Sequence, residues 1–280
     1  MNARRDTFPA RLWKRYIPLT IGIVYILFPF YWTISTSLKE EREIFVKPLR
    51  YLPSVLSFQN FSLAWQRAGF SIYFKNSLIV ALGGMLCILV VGIMSGYALS
   101  RFKFKGKRLF MMILLCTQFF PGAMLLIPLF MIFRDVGLSS TLSSLIITYT
   151  LFEFPFIAIL MRGFISNLPT ELEEAAWVDG CTRVSAIFRI LVPVLLPCIV
   201  AAGAIGFIGC WNEFMFGLML VNDMEKFTIP VGLSYLKGQF EINYGIQAAG
   251  ALIAILPALG MFAYVQRYLV SGLSSGSVKG

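Results

Sequence analysis

The chain has 280 residues, of which 58% are hydrophobic and 14% are charged, and its mean hydropathy is +0.77. Soluble domains carry about 25% charged residues, so this composition excludes an ordinary water-soluble globule. The net charge of +10 must therefore be interpreted through the positions of the basic residues. The chain has no histidine and its five cysteines are widely separated, which excludes His-based triads and metal hydrolysis and leaves no zinc spacing or disulfide framework.

Six apolar stretches are long enough to cross a membrane as helices. A span needs about 20 residues at about 1.5 Å per residue, and a charge at its centre costs roughly 2.5 to 3.5 kcal/mol. The fourth stretch contains one acid, Glu153, and the fifth contains Glu213. We expect kinks at Pro121, Pro128 and Pro257. The predicted helices cover residues 17–38, 76–99, 109–133, 143–162, 194–221 and 246–267.

The basic residues set the orientation of these spans. Of the 24 Lys and Arg residues, 15 lie in the segments 1–16, 101–108, 162–189 and 267–280, all on the side that holds the termini. The positive-inside rule places that side in the cytoplasm. Nucleic-acid binding is excluded because the densest basic cluster is a short turn between two spans.

The sequence thus predicts an all-α integral membrane protein with six transmembrane helices and both termini cytoplasmic. In this arrangement residues 1–16 form a cytoplasmic N-terminus, 17–268 form the transmembrane domain and 269–280 form a cytoplasmic tail.

The outer segment 39–75 should contain one short helix. Asn60 is the predicted N-cap of this helix, which would run through Ala68. Its apolar residues, which include Phe61 and Trp65, suit a helix at the membrane surface or against a partner. They suit equally a connector packed on its own bundle.

The cytoplasmic segment between the fourth and fifth spans is too long for a simple turn. Thr170 and Glu173 have the spacing of a capping box, in which each side chain bonds to the other residue's backbone N–H. This pattern predicts a helix through about Val178. Acidic residues in its first turn agree with the helix dipole, because anions are favoured at a helix N-terminus.

A second helix should follow this first one after a sharp turn. Gly180 is expected to end the first helix in the left-handed conformation. Thr182 is expected to cap a second helix that runs to Pro193. From these residues alone, a solvated linker with good caps and a docking helix for another protein are equally favoured.

This segment resembles the E-A-A…G…I-x-L-P loop of the membrane subunits of bacterial ABC importers. The matching residues lie at fixed offsets and are Glu174, Ala175, Ala176, Gly180, Ile190 and Pro193. Three further features narrow the resemblance to carbohydrate permeases of the maltose-transporter G-subunit type: Asp179, the W-N-E-F sequence from Trp211 to Phe214, and the tail from Ser271 to Gly280. The departures are small: Val192 where Leu is preferred, and Cys181 and Ser277 where Ala is usual.

The resemblance implies the type I ABC importer permease fold and an assembly in the bacterial cytoplasmic membrane. Such an assembly has two unlike permease subunits, two ATPase subunits and an extracytoplasmic sugar-binding protein. The chain has no G-x-x-x-x-G-K-[ST] motif, so the partner ATPase subunits would bind ATP and this chain would need no cofactor. The coupling loop would be residues 163–190, and the tail would become ordered between the ATPase subunits. The residues implied to couple to the ATPase are Glu173, Glu174, Ala175, Ala176, Asp179 and Gly180.

The acids within the predicted spans are functional-site candidates, because exposing a carboxylate to lipid is costly. Glu213 stands with Trp211 and Asn212 near the middle of the fifth predicted span. These three residues either line a sugar translocation path or bond to neighbouring helices. For Glu153, close to a helix end, bonding to neighbouring helices is favoured.

Two other functions compete with a sugar permease of an ABC importer. One is a proton-coupled secondary transporter in which Glu153 and Glu213 relay protons. The other is an ABC permease for a non-sugar solute such as a polyol or glycerol phosphate. A membrane enzyme is disfavoured because the chain has no histidine and few paired acids outside the segment 171–179, so no catalytic residue and no metal site are assigned.

Overall fold

The fold is described from a computed structural model, which defines residues 12–66, 68–236 and 243–276. All regular secondary structure in these three ranges is helical. Contacts within the chain divide it into two compact units. The first unit comprises the chain up to residue 70 together with 235–253, and the second comprises 71–234 together with the chain from 254 onward.

We number the helices in chain order. They are α1 Ile17–Ser37, α2 Glu41–Ile44, α3 Gln59–Gln66, α4 Phe70–Arg101, α5 Lys107–Thr117, α6 Leu126–Asp135, α7 Leu142–Ser166, α8 Glu171–Val178, α9 Arg183–Val194, α10 Leu196–Asn212, α11 Met215–Leu220, α12 Ile229–Tyr235 and α13 Tyr244–Gly276. A 3₁₀ turn precedes α6, and a π-helical turn lies within α9.

Four helices, α1, α4, α7 and α13, are long and apolar enough to cross a membrane. They confirm the helices predicted over 17–38, 76–99, 143–162 and 246–267. Helix α13 continues beyond its apolar part to Gly276, so the first residues of the predicted tail extend this helix. Extending an existing helix needs no new nucleation, which explains why a polar segment can continue it. Residues 277–280 lie outside the described residues.

The third and fifth predicted spans are not continuous helices. The helix pair Lys107–Thr117 and Gly122–Asp135 is bent by 94°. Pro121 stands at this break in an extended conformation, as expected for a residue without an N–H that also disfavours helix in the residue before it. Pro128, in contrast, lies in the first turn of α6, where proline is tolerated. Pro257 lies inside α13.

The fifth prediction, a helix over 194–221, is wrong in its extent. Helix α10 ends at Asn212, and Glu213 and Phe214 separate it from α11. On its other side, α10 meets α9 at an angle of 86°. When each bent pair counts as one span, the described residues contain up to six spans.

In the first unit, a buried lysine follows the end of α1. The side chain of Lys39 is 2% exposed. Its ammonium donates to the Arg50 carbonyl oxygen at 2.5 Å and lies 5.0 Å from the ring centroid of Trp32. Burial lowers the pKa of Lys39, and the nearby Glu43 carboxylate acts in the opposite direction.

The sequence had suggested that Asn60 caps α3, but in the structure it does not. It lies inside this helix, and its side-chain amide donates to the carbonyl oxygens of Ser37 and Lys39 at 2.9 and 2.8 Å. The N-cap prediction is wrong because the helix begins one residue earlier, at Gln59. The Asn60 side chain is oriented instead by its bonds to carbonyls at and after the end of α1, which lack helical partners. The hydroxyl of Ser57 accepts from the Gln59 N–H instead. These contacts favour a connector packed on its own unit.

In the second unit, α4 contacts α7 and α10 through glycines. A Cβ added at Gly96 of α4 would stand 2.8 Å from the backbone nitrogen of Arg162 in α7. A Cβ added at Gly206 of α10 would lie 3.6 Å from the side chain of Ile88 in α4. Small residues let helix backbones approach closely. Close approach strengthens the van der Waals packing that helps to hold helices together in lipid.

Candidate functional site

The segment 163–190 forms the two helices that the sequence predicts. Helix α8 spans Glu171–Val178, and α9 begins at Arg183. Gly180 lies between them with a φ of 85°, in the left-handed region that glycine adopts without strain. The hydroxyl of Thr182 accepts from the Ser185 N–H at 3.2 Å. The predicted turn and second cap are therefore confirmed.

The capping box at the start of α8 is wrong. Thr170 has helical backbone angles and makes no side-chain cap. The Glu173 carboxylate, which is 2% exposed, accepts from Arg101 Nε at 2.6 Å and from the Tyr97 hydroxyl at 2.8 Å. The bond to the guanidinium joins two ionised groups, whereas a capping bond would join the carboxylate to a neutral N–H. Glu173 therefore faces the interior of the second unit.

The outward face of α8 consists of other residues. Glu171, Glu174, Ala175 and Val178 are all exposed, and Val178 is 88% exposed. Their spacing of i, i+3, i+4 and i+7 places them on one side of the helix. Ala176 is buried on the side that also carries Glu173.

The six residues that were predicted to couple to a partner thus divide into two groups. Glu174, Ala175, Asp179 and Gly180 are exposed, and Glu173 and Ala176 are buried.

Arg183, at the start of α9, holds this helix beside α8. Its guanidinium carbon lies 5.3 Å from the ring centroids of both Phe102 and Trp177. A cation over an aromatic face is attracted by the negative charge of the ring face. These three side chains border a cleft of about 230 Å³, which Tyr97 and Glu173 also line.

No motif in the sequence assigned Tyr97 and Arg101 to this site. Arg101 was counted only among the basic residues that set topology. The two residues are four apart in α4, so they lie on the same helix face. This spacing was visible in the sequence, but nothing in the sequence identified Glu173 as their common partner.

The W-N-E-F sequence lies at the break between α10 and α11. Glu213 accepts from the backbone N–H groups of Phe216 and Gly217 at 2.8 and 3.1 Å. It therefore caps the start of α11. The sequence had indicated a position near the middle of a helix, and that prediction is wrong. Asn212, the last residue of α10, is exposed.

Trp211 is buried among other aromatic side chains. Its indole stacks on Phe207 with ring centroids 5.7 Å apart, and the Phe74 ring meets it edge-on at 5.8 Å. Its Nε1–H donates to the Ala254 carbonyl oxygen at 3.0 Å. This indole is 3% exposed, so no ring face is open to a ligand in this conformation.

Glu153 of α7 packs against α10. A Cβ added at Gly209 would stand 2.7 Å from a Glu153 carboxylate oxygen, so the glycine makes room for the acid. The acid thus lies against a neighbouring helix, and its bonding to that helix stays a prediction. Within the described ranges, no group of three or more His, Cys, Asp or Glu residues could hold a metal ion.

These features define a class of protein: a polytopic helical membrane protein whose spans are interrupted by an exposed, separately capped helical loop. The chain belongs to the family of binding-protein-dependent transport system inner membrane components, whose pattern matches residues 88–274.

Two relatives are similar over nearly the whole chain. The diacetylchitobiose uptake system permease protein DasC of Streptomyces coelicolor is 35% identical over 99% of this chain and 100% of its own length. The trehalose transport system permease protein SugB of Mycobacterium tuberculosis is 35% identical over 100% of both chains.

A solved structure has the same fold. It is the crystal structure of a bacterial ABC transporter involved in the import of the acidic polysaccharide alginate. The matched chain has a TM-score of 0.81 and 22% identity, over 94% of this chain and 98% of that one. The predicted type I ABC importer permease fold is therefore confirmed, and the protein is an inner-membrane component.

Proposed function

We propose that this chain is one permease subunit of an ATP-driven importer that carries a sugar across the cytoplasmic membrane. Family membership supports the transport function, and the names of the similar permeases, which refer to diacetylchitobiose and trehalose, support a sugar as the substrate. The structural observation that carries the proposal is the exposed face of α8, formed by Glu171, Glu174, Ala175 and Val178. An outward-facing helix with a small residue at its centre suits close contact with another protein.

The assembly would contain two copies of an ATPase subunit, a second, non-identical permease subunit and an extracytoplasmic sugar-binding protein. This chain would contribute six spans, each bent helix pair counting as one, with both termini in the cytoplasm. Six is an even number, which agrees with termini on one side, and the distribution of basic residues supports the cytoplasm as that side.

Helix α8 would transmit the energy of ATP to the spans. Glu174, Ala175, Asp179 and Gly180 would contact an ATPase subunit, and closure of the ATPase dimer would move the permease subunits as rigid bodies. The chain needs such a partner because its sequence contains no phosphate-binding loop motif. The tail beyond residue 268 would add a second contact between the two ATPase subunits.

The break at W-N-E-F has a more limited role in this proposal. Glu213 is engaged in capping and Trp211 is buried. Asn212 is the exposed polar member of the three residues, and we assign it to the translocation path. Most of the sugar contacts would then come from the second permease subunit.

Uptake into proteoliposomes tests this function. The chain is reconstituted with the second permease, ATPase and binding-protein genes that neighbour its own. The probes are radiolabelled trehalose, maltose, diacetylchitobiose, glycerol and glycerol 3-phosphate. We expect uptake of a sugar that requires internal ATP and the binding protein, and no uptake when the ATPase carries a disabled phosphate-binding loop. Uptake driven by a proton gradient alone would refute the proposal, and uptake of glycerol or glycerol 3-phosphate alone would refute its substrate class.

A further inference from the structure

Helix α4 connects two distant parts of the second unit through buried polar contacts. The first set of contacts lies at its C-terminal end and involves Tyr97, Arg101 and Glu173, which we call the α4–α8 joint. Glu173 comes from α8 and accepts one hydrogen bond on each carboxylate oxygen, at 2.6 Å from Arg101 and at 2.8 Å from Tyr97. Arg101 Nη2 also donates to the Leu168 carbonyl oxygen at 3.1 Å.

The joint is nearly closed to solvent. The side chains of Arg101 and Glu173 are 13% and 2% exposed. Exposed ion pairs contribute little because water screens them and their side chains remain mobile. Both carboxylate oxygens of Glu173 are hydrogen-bonded, and Arg101 donates through Nε and Nη2, so the geometry of the buried pair is fixed at several atoms. Removing either partner would leave an uncompensated charge. Helix α8 therefore cannot shift relative to the end of α4 without breaking these bonds.

The second set of contacts lies near the other end of α4. The Asn76 amide donates to the carbonyl oxygens of Glu225 and Phe227 at 2.8 and 3.0 Å. The Ser77 hydroxyl accepts from the Ile229 N–H at 2.8 Å. These bonds hold the segment 225–229, which leads into α12, against the start of α4. Asn76 is 6% exposed and Ser77 is 2% exposed.

A single continuous helix separates the two sets of contacts. Helix α4 has 32 residues, and from Asn76 to Arg101 it rises about 37 Å at about 1.5 Å per residue. It contains no proline, and it runs as one uninterrupted α-helix through its glycines, Gly83, Gly84, Gly92 and Gly96. A displacement applied at one end is therefore carried to the other.

We propose that the α4–α8 joint couples α4 to α8. Motion of α8 would displace α4 as a rigid body and so move the segment 225–229 on the far side of the membrane. This inference rests on the proposed function, in which an ATPase subunit moves α8. It assigns Tyr97, Arg101 and Glu173 as positioning residues for coupling, distinct from the exposed residues that contact the partner.

The test compares a variant without the joint and a matched control. The paired substitution Arg101→Leu with Glu173→Leu removes both charges at once, and such apolar replacements are often neutral or stabilising. The control is Ser100→Ala. Ser100 lies in the same turn of α4, but its hydroxyl bonds to that of Ser166 in α7 at 3.0 Å, so this substitution removes a local bond that does not reach α8.

The measurement reports on the far end of α4 and needs no identified sugar. Met224 is 48% exposed beside the segment that Asn76 holds. In a background without native cysteines, Met224→Cys is labelled with an impermeant maleimide in the complete complex in nanodiscs. The labelling rate is measured with and without ATP plus vanadate.

In the unmodified joint and in Ser100→Ala, we expect ATP plus vanadate to change the labelling rate by about tenfold, within the usual range of coupling between distant sites. In the paired variant this change should disappear while the complex is recovered in normal yield. An unaltered nucleotide response in the paired variant would overturn the inference. Loss of the complex would also overturn it, because the joint would then be required for folding.

A third variant separates this inference from the proposed function. Gly180→Val alters the turn after α8 and leaves the joint in place. If Gly180→Val and the paired variant both respond to nucleotide like the unmodified protein, the proposed docking of α8 fails. If Gly180→Val alone loses the response, the docking is supported and only the role of the joint is refuted.

Discussion

The conformation of the coupling loop, residues 163–190, depends most directly on the backbone of Gly180. Its φ is 85°, and an added Cβ would meet no atom within 4 Å. The cost of a substitution therefore comes from the left-handed conformation alone, about 1–2 kcal/mol for most residues and more for a β-branched one.

We expect Gly180→Val to distort the turn that carries Asp179 and Gly180, and so to reduce both sugar uptake and recovery of the ATPase subunits with the tagged chain. Gly180→Asn should retain both, because Asn tolerates this conformation. Gly137→Val is a matched control, since Gly137 has a φ of 75° and also has free space around it, but lies outside the loop. Equal uptake and recovery for Gly180→Val and the unmodified protein would rule out this loop as the docking element.

Glu213 is the residue whose role changes most between sequence and structure. Its carboxylate caps two N–H groups at the start of α11, so removing it should destabilise the fold whether or not it lines a path. We expect Glu213→Ala to lower the free energy of unfolding by about 0.5–2 kcal/mol, measured by thermal unfolding in detergent. Asn212→Ala, at the exposed neighbouring position, should leave stability unchanged. If Glu213→Ala had the same free energy of unfolding as the unmodified protein, the capping role would be contradicted.

At the scale of the helices, close packing of α4 on α7 depends on the absence of a side chain at Gly96. An added Cβ would stand 2.8 Å from the backbone nitrogen of Arg162, and backbone atoms cannot rotate away. We expect Gly96→Ala to cost about 1–3 kcal/mol, as overpacking does. Gly163→Ala in α7 is the control, because that Cβ would meet nothing within 4 Å and alanine favours helix by about 1 kcal/mol. Similar melting temperatures for the two variants would show that α4 and α7 are not packed this way.

Hydropathy predicted four of the helices well because a long apolar run has few alternatives in a membrane. It did not predict the breaks after Thr117 and after Asn212, since the residues around both breaks remain largely apolar. Pro121 marked the first break, but its effect could not be distinguished from a mild kink. The second break depends on whether the Glu213 carboxylate bonds to backbone N–H groups, which composition does not determine.

The predictions for the coupling loop are confirmed where the hydrogen bonds join residues that are close in the sequence. Thr182 and Gly180 act on backbone groups within three residues, and both predictions are confirmed. Glu173 was misassigned because its partner Arg101 lies 72 positions away in the chain. A single sequence contains no direct signal for such a pairing, so the bonds of Glu173 to Arg101 and Tyr97 are visible only in the structure.

At the scale of the whole molecule, orientation in the membrane decides whether α8 can meet an ATPase at all. The basic residues that flank the spans set the proposed orientation, since 15 of the 24 lie on the side assigned to the cytoplasm. Two exposed positions would lie on opposite sides of the membrane in this orientation. They are Gly106, in the basic turn between α4 and α5, and Asn222, after α11. Asn222 is polar and exposed, so a cysteine there should be accommodated. Gly106 has a φ of 88°, so a cysteine there costs about 1–2 kcal/mol of backbone strain, but its Cβ would meet no atom within 4 Å.

In a background without native cysteines, we expect Asn222→Cys to react with an impermeant thiol reagent in intact cells. Gly106→Cys should react only after the membrane is permeabilised. Two spans separate the basic turn 101–108 from the loop that carries α8, when the bent pair 107–135 counts as one span. With an even number of spans between them, the turn and the loop lie on the same side of the membrane. Labelling of Gly106→Cys in intact cells would therefore place α8 outside the cell, where no ATP-driven subunit could reach it, and the docking proposal would fail together with the orientation.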